Sequence, residues 1–176
     1  MLPIMLDLSK LSVALIGSGS QFERRRKLLL DAGATKLTTY DLQHTTQIDF
    51  NQFNVVMIVD LDEATTKTLH IEAKAAGCIV NVEDEKEFCD FYFQTFIQRG
   101  DLQISVSTNG KSPATARMIR ESIETCYPEQ WEQRLEEIAA KRGEWKNAGA
   151  SYDEVNRKTE EYVKSRDWLC KGRMSS

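Results

Sequence analysis

The sequence lacks the long apolar runs that membrane proteins carry. No run approaches the roughly 18 consecutive apolar residues of a transmembrane helix, so we predict no association with a membrane. The first seven residues also lack the basic region of a secretory signal peptide, and they turn acidic at Asp7. We therefore expect a cytoplasmic protein.

Metal-binding residues are scarce and are not arranged as ligands. The chain has four cysteines and two histidines, and no two cysteines form a C-x-x-C pair. This spacing argues against a structural zinc site, and we predict no bound metal. Without an export signal, we expect all cysteines to be reduced thiols, mostly buried as small hydrophobic side chains. They are Cys78, Cys89, Cys126 and Cys170.

An excess of basic charge is also absent. The chain has 23 basic and 27 acidic side chains, a net charge of −4, which argues against a nucleic-acid partner. Hydrophobic residues make up 41% and charged residues 28%, the balance of a globular rather than a disordered chain. A length of 176 residues allows one domain with an appendage, or two small domains.

Strand-like and helix-like segments alternate over the first 110 residues. The predicted strands are 12–16, 36–40, 54–59 and 78–82, and the predicted helices are 21–32 and 62–76. The first strand is a short apolar run that ends in Gly17, which is typical of a buried parallel strand. Strands that alternate with helices imply parallel crossovers. We therefore predict an α/β fold with a doubly wound parallel sheet.

The pattern changes near residue 90. Residues 91–98 and 102–107 predict a hairpin with one solvent-facing side, joined by a turn at Arg99-Gly100-Asp101. From Ser112 onward the sequence is helical, with Ser112 as an N-cap and the last helix starting at Ser151 or Asp153. The apolar helix faces contain Trp131, Leu135, Ile138 and Trp145, and then Val155, Tyr162 and Leu169.

A glycine-rich turn follows the first predicted strand and opens the first helix. It reads Gly17-Ser18-Gly19-Ser20-Gln21-Phe22. Such glycines allow close approach of a pyrophosphate, and the helix N-terminus supplies N–H donors. Asp41 ends the next strand, where a carboxylate binds ribose hydroxyls and favours NAD over NADP. The alternative is a turn that only needs glycine, and the bulky Phe22 would separate helix and strand unless the backbone adjusts.

Several stretches of the chain, taken together, are specific enough to indicate a family. They are residues 2–8 (LPIMLDL), 24–25 (RR), 28–34 (LLLDAGA), 81–84 (NVED), 89–91 (CDF), 99–113 (RGDLQISVSTNGKSP) and 116–121 (ARMIRE). In this combination the sequence resembles the precorrin-2 dehydrogenase family, the NAD-dependent module of siroheme synthases. The resemblance covers roughly residues 2–125, and residues 99–121 are its most specific part.

The resemblance implies a Rossmann-like NAD(P)-binding sheet, a small hairpin segment for dimerisation and a helical C-terminal part. We accordingly divide the chain into residues 1–90, 91–125 and 126–176. The implied reaction is oxidation of precorrin-2 to sirohydrochlorin with NAD as hydride acceptor, and some members also insert ferrous iron. A homodimer is expected, because a second subunit would cover the apolar face of the hairpin.

The resemblance also assigns roles to individual residues. It places the catalytic aspartate at Asp84. With the glycine turn, the cofactor contacts are Gly17, Gly19, Ser20, Gln21, Asp41, Leu42 and Gln43. The substrate contacts are Asn109, Gly110 and Ser112, of which Ser112 matches a serine that is phosphorylated in some members.

Asp84 is supported by a physical argument as well. It follows the fourth predicted strand, at the carboxyl edge where ligands bind in open α/β sheets. A carboxylate near the tetrapyrrole could take the proton lost with the hydride, or accept pyrrole protons during metal insertion. The alternative is a solvated loop carboxylate in the acidic stretch 83–87.

Three departures from the family's pattern favour a second hypothesis. Phe22 replaces the usual alanine, Asp60 replaces a more common threonine, and only about a dozen residues, 42–53, separate the second and third strands. An Asp60 carboxylate would either repel the cofactor phosphates or serve as a hydrogen-bond partner. The second hypothesis is a non-catalytic relative that binds a tetrapyrrole or a protein partner and has lost NAD.

Overall fold

The chain forms two compact units. The structure is a computed structural model that describes residues 1–41 and 47–170. The units are Met1–Tyr92 and Phe93–Ser176. The predicted cofactor contacts Leu42 and Gln43 lie outside the described residues. Within the described ranges, no helix combines the length and the apolar character needed to cross a bilayer.

The first unit is built on a four-stranded parallel sheet. Its strands are β1 (Ser12–Gly17), β2 (Lys36–Tyr40), β3 (Val55–Val59) and β4 (Ile79–Val82). They lie in the order β2-β1-β3-β4, so that β1 and β3 are central. The central strands are almost wholly buried, because apolar side chains cover the sheet on both faces. Their near-continuous apolar sequence suits this position.

One long helix packs on each face of the sheet. The helices are α1 (Gly19–Asp31) after β1 and α2 (Glu63–Ala75) after β3. Successive residues of a strand point to opposite faces, so Leu15 packs in a cluster with Leu29 of α1. Its neighbour Ile16 packs in the other cluster with Leu69 of α2. The predicted doubly wound parallel sheet is confirmed. Short 3₁₀ helices occur at Leu8–Lys10, Phe50–Gln52 and Lys86–Phe88.

The second unit is an antiparallel hairpin followed by helices. Its elements are β5 (Thr95–Arg99), β6 (Leu102–Val106), α3 (Pro113–Cys126), α4 (Trp131–Asn147) and α5 (Tyr152–Ser165). The predicted starts of α3 and α5 are confirmed. Ser112 accepts a hydrogen bond from the Thr115 N–H, and Ser151 forms a capping box with Glu154. The buried apolar residues of the second unit are Ile97, Ala116, Trp131, Ile138 and Val155.

The hairpin differs from the prediction at its start. The strand expected over 91–98 begins only at Thr95. The reason is that the Asn81 side chain donates a hydrogen bond of 2.9 Å to the Phe91 carbonyl and ties that residue to the end of the first unit. Burial alternates along β5, as predicted, but Ile97 is only 3% exposed. The side chain of Ile97 is therefore covered within the chain, while its neighbours on the same face are half-buried.

The C-terminal segment corrects two further expectations. Leu169 does not belong to the last helix, because α5 ends at Ser165 and Asp167 then adopts a positive φ of 52°. The expectation of four reduced thiols is wrong for Cys126 and Cys170, which form a disulfide. The end of α3 and the segment after α5 meet in the folded unit, with Cα atoms 5.3 Å apart. Their separation of 44 residues gives no sign of this in the sequence.

The other two cysteines are free thiols, as expected. Cys78 is buried and Cys89 is half-buried. Burial raises the pKa of both thiols above the ordinary value. The Cys89 thiol donates a hydrogen bond of 3.1 Å to the Val82 carbonyl. Both side chains therefore serve as small core residues of the first unit.

Reduction of the Cys126–Cys170 disulfide is expected to destabilise the second unit. A cross-link over 44 residues typically contributes about 2–4 kcal/mol. All three tryptophans lie in the second unit, so tryptophan fluorescence follows its unfolding. The thermal midpoint should fall by roughly 8 °C or more in dithiothreitol. Cys126→Ser is the matched control, because its midpoint should start low and stay unchanged in the reductant. Equal wild-type midpoints with and without dithiothreitol would contradict the prediction.

Candidate active site at the carboxyl edge of the sheet

The carboxyl ends of the parallel strands meet along one edge of the sheet. β1 is in register with β3 at Gly17 and Val59, and β3 is in register with β4 at Ile58 and Val82. The residues that follow the strands therefore share this edge. They are Ser18, Asp41, Asp60 and Glu83. Open α/β sheets bind their ligands at this place, outside the carboxyl ends of the strands.

The two glycines after β1 serve different purposes. A Cβ placed on Gly17 would lie 1.9 Å from the carbonyl oxygen of Val59, so the sheet itself requires glycine there. Gly19 has a positive φ of 83°, and among the described residues its Cβ would meet only an Asp60 carboxylate oxygen, at 3.4 Å. The backbone of the sheet thus explains Gly17, whereas Gly19 borders open space.

The first turn of α1 offers N–H donors to this space. Ser18 occupies the N-cap position, but its side chain makes no capping hydrogen bond, and the first turn contains no acidic residue. The first N–H groups of a helix have no acceptor within the helix, and they attract anions. Ser20 and Gln21 lie in this turn. The structure thus places Gly17, Gly19, Ser20 and Gln21, four of the predicted cofactor contacts, in and beside one helix N-terminus that attracts anions.

Phe22 does not disturb this turn. α1 runs without a break from Gly19, and the half-buried ring of Phe22 packs against the apolar cluster that contains Leu29 and Val59. The ring is therefore accommodated in the core of the first unit. The first departure from the family's pattern leaves the glycine turn intact.

Three exposed aspartates lie at the same edge. They are Asp41 after β2, Asp60 after β3 and Asp84 near the end of β4. Asp60 and Asp84 have positive φ values of 52° and 61°. Residues other than glycine seldom adopt this conformation, and such residues are concentrated at functional sites. Within residues 1–41 and 47–170, no three acidic, cysteine or histidine side chains are grouped so that they could hold a metal ion.

A largely buried ion pair between Arg25 and Glu83 lies next to Asp84. The Arg25 Nε and Nη2 atoms of α1 lie 2.7 and 2.6 Å from Glu83 Oε2. The side chains are only 12% and 10% exposed. The residues are 58 positions apart, so no local spacing could have predicted their contact. The sequence offered two weaker signals: Arg25 is a basic residue on the helix that starts at the site, and Glu83 is an acidic residue next to Asp84.

The predicted substrate contacts lie in the second unit. Asn109 and Gly110 form a turn with positive φ values of 55° and 75°. The Thr108 hydroxyl accepts a hydrogen bond of 3.1 Å from the Ser112 N–H and donates one of 3.0 Å to the Ser112 carbonyl. Ser112 then caps α3. The turn and the start of α3 therefore form one local structure at the end of β6.

Two family models match the chain. The family described as "Putative NAD(P)-binding" matches residues 4–95, which is just over half of the chain. The family described as "Sirohaem biosynthesis protein central" matches residues 99–125. The first match contains the parallel sheet and the glycine turn, and the second contains most of the hairpin and α3.

Several siroheme synthases are similar to this chain. That of Tolumonas auensis is 32% identical over 162 residues, which cover 83% of this chain and 34% of the relative. That of Methylococcus capsulatus is 33% identical over 148 residues, which cover 72% of this chain and 31% of the relative. The chain therefore spans about a third of the length of the curated relatives it matches.

A solved structure shares the fold of the chain. SirC, a precorrin-2 dehydrogenase, superimposes with a TM-score of 0.76 at 20% sequence identity, and the match covers 97% of this chain and 93% of SirC. The match to the NAD(P)-binding family spans the glycine turn and the whole parallel sheet. The chain is therefore a member of this NAD(P)-binding family and a homologue of the siroheme synthases.

Proposed function

We propose that the chain is an NAD-dependent dehydrogenase that oxidises precorrin-2 to sirohydrochlorin in siroheme biosynthesis. One observation carries the proposal: the open glycine turn of α1 and the exposed Asp84 lie on the same edge of one sheet. The oxidation removes a hydride and a proton from the substrate, so it needs a hydride acceptor and a base. The similarity to siroheme synthases and to a precorrin-2 dehydrogenase supports this substrate.

NAD is proposed as the cofactor, bound at the start of α1. The pyrophosphate cradle consists of Gly17, Gly19, Ser20 and Gln21. Asp41 binds the ribose hydroxyls, and its charge disfavours the 2′-phosphate of NADP. Leu42 and Gln43 are proposed as further contacts. When bound, NAD supplies a hydride acceptor at its nicotinamide ring.

Asp84 is proposed as the base. Its carboxylate is exposed at the edge of the sheet, and its left-handed backbone closes a tight turn after β4. A carboxylate there takes the proton that the tetrapyrrole loses with the hydride. The hydride and the proton together remove two electrons and two protons from the substrate. The proton passes on to water, because the side chain is accessible to solvent.

The tetrapyrrole is also proposed to contact the turn before α3. Asn109, Gly110 and Ser112 lie in the turn that leads into the N-terminus of a 14-residue helix. A helix N-terminus attracts carboxylates, and a tetrapyrrole with acidic side chains provides them. The division of the chain into residues 1–90, 91–125 and 126–176, the cytoplasmic location and the insertion of ferrous iron stay predictions.

The proposed reaction is tested by anaerobic conversion of precorrin-2, followed by absorbance with and without NAD. NAD-dependent turnover is expected. Asp84→Asn should lower kcat about 100-fold or more, because general-base catalysis contributes at least that factor. Its Kd for NAD should stay within threefold of the wild type.

Glu85→Gln is the matched control, since Glu85 is an exposed carboxylate next to Asp84 in the same acidic stretch. Its kcat should stay within twofold of the wild type. Full activity in Asp84→Asn would remove Asp84 from the mechanism. A folded wild-type protein that binds the tetrapyrrole but shows no turnover would favour the non-catalytic alternative.

The hypothesis of a non-catalytic relative that has lost NAD is supported by Asp60, whose carboxylate faces Gly19 of the glycine turn. We expect Asp60→Asn to tighten NAD binding about threefold to tenfold at low salt, because one negative charge near the pyrophosphate is removed. Calorimetric titration measures the effect, and the gain should shrink as salt rises. Asp31→Asn, at the far end of α1, should leave the Kd unchanged. Weaker binding in Asp60→Asn would mean that Asp60 is a hydrogen-bond partner of the cofactor.

A homodimer is proposed on the outward face of the hairpin. Phe96 lies on this face and is 41% exposed, while Ile97 on the opposite face is only 3% exposed. We expect light scattering at micromolar concentration to give a dimer for the wild type and a monomer for Phe96→Glu. Tyr152→Glu, at a residue of α5 that is 75% exposed, should stay dimeric. A monomeric wild type would contradict the proposal.

A further inference from the structure

We infer that the Arg25–Glu83 ion pair is a positioning element that fixes the Asp84 turn relative to the cofactor end of α1. The inference rests on the proposed function and names two residues to which the family resemblance assigns no role. Arg25 lies on the helix whose first turn is the proposed pyrophosphate cradle. Glu83 immediately precedes the proposed base. The pair therefore links the two halves of the proposed reaction.

The contact is a fork rather than a loose ion pair. Two guanidinium nitrogens of Arg25, Nε and Nη2, approach the same carboxylate oxygen of Glu83 at 2.7 and 2.6 Å. Arg24 faces the other oxygen from 3.7 Å. Two short charge-assisted contacts to one oxygen fix the direction of the Glu83 side chain more strictly than one would.

Burial distinguishes this pair from its neighbours on the same helix. Arg25 and Glu83 are 12% and 10% exposed. Arg26 and Glu23 are 48% and 66% exposed. Solvent-exposed pairs contribute little to structure, whereas a buried pair cannot lose one partner without leaving a buried charge. The fork therefore resists rearrangement in a way that a surface pair does not.

The backbone of Glu83 is held as firmly as its side chain. Its N–H donates a hydrogen bond of 2.9 Å to the Ile58 carbonyl at the end of β3. The Glu85 N–H then approaches the Val82 carbonyl at 3.4 Å and closes a tight turn with Asp84 inside it. A left-handed aspartate persists only where its surroundings determine it. The residue before Asp84 supplies that constraint through both its backbone and its side chain.

The fixed link matters because the hydride and the proton leave the same substrate. The acceptor of the hydride is placed by the N-terminus of α1, and the acceptor of the proton is Asp84. A misplacement of about 1 Å between reacting groups can cost a hundredfold in rate. Arg25 couples the rigid helix to the Asp84 turn, so that both acceptors keep one spacing.

Steady-state kinetics of four variants test this inference. Glu83→Gln and Arg25→Gln should each lower kcat at least tenfold, while the Kd for NAD stays within threefold of the wild type. Arg24→Gln is the matched control, since Arg24 is the adjacent arginine, is 64% exposed and lies farther from Glu83. Its kcat should stay within twofold. The exchange variant Arg25→Glu/Glu83→Arg, which restores an ion pair, should recover at least part of kcat.

Hydrogen exchange provides a readout that does not depend on turnover. The Glu85 amide should exchange at least tenfold faster in Glu83→Gln, while amides of β1 and β3 keep their protection. If β1 and β3 also lose protection, Arg25→Lys, which keeps the charge but not the fork, replaces both glutamine variants.

Unchanged kcat and unchanged Glu85 exchange in the glutamine variants would overturn the inference. A loss of kcat that is equal in Arg24→Gln would overturn it as well, because net charge would then be the cause. If the wild type shows no NAD-dependent turnover, the proposed reaction is refuted. If Glu83→Gln still speeds exchange of the Glu85 amide in that case, the inference that the ion pair fixes the Asp84 turn is retained.

Discussion

The contact between Gly17 and the carbonyl of Val59 sets the geometry of the carboxyl edge. β1 and β3 are the central strands of the sheet, and their backbones meet there so closely that no Cβ fits. The chain must turn away from the sheet immediately after β1, and α1 then begins at the edge rather than above the face. The N–H groups of its first turn consequently face the place where ligands of open α/β sheets bind. Glycine at this one position therefore determines where the helix can act on a ligand.

The edge combines opposite electrostatic influences over a short distance. The N-terminus of α1 favours anions, while Asp41, Asp60 and Asp84 carry negative charge around it. Such a site holds a phosphate group only where backbone donors outweigh the carboxylates, which confines it to the first turn of the helix. The fourth acidic group, Glu83, is removed from this balance because Arg25 neutralises it.

Much of the first unit could be predicted because its signals are local. The bounds of β2 are those predicted, and the remaining strands and both helices differ by one or two residues at their ends. Features that depend on distant residues could not be predicted. The start of β5 is set by Asn81, the disulfide joins Cys126 to a residue 44 positions away, and Arg25 meets Glu83 across 58 positions. Tertiary structure alone brings these groups together.

The same limit applies to the candidate site. Gly17, Gly19, Ser20 and Gln21 are adjacent in sequence, so their common turn could be predicted, and Asp41 and Asp84 follow strands whose ends share an edge. The orientation of Asp60 toward Gly19 depends on its left-handed backbone, which aspartate does not signal by itself. The role of Ser112 as a cap was readable from its place before Pro113, whereas its relation to a substrate is not a local property.

The difference between Gly17 and Gly19 also determines how the chain would diverge if its cofactor were lost. Packing against β3 would keep glycine at position 17 in every folded descendant, with or without NAD. Among the residues that the structure describes, position 19 faces only the Asp60 side chain, so a substitution there costs roughly 1–2 kcal/mol of backbone strain and meets no steric clash with them. Under relaxed selection the second glycine would drift while the first stayed fixed. Glycine at position 19 therefore indicates that a homologue still depends on its dinucleotide, whereas glycine at position 17 does not.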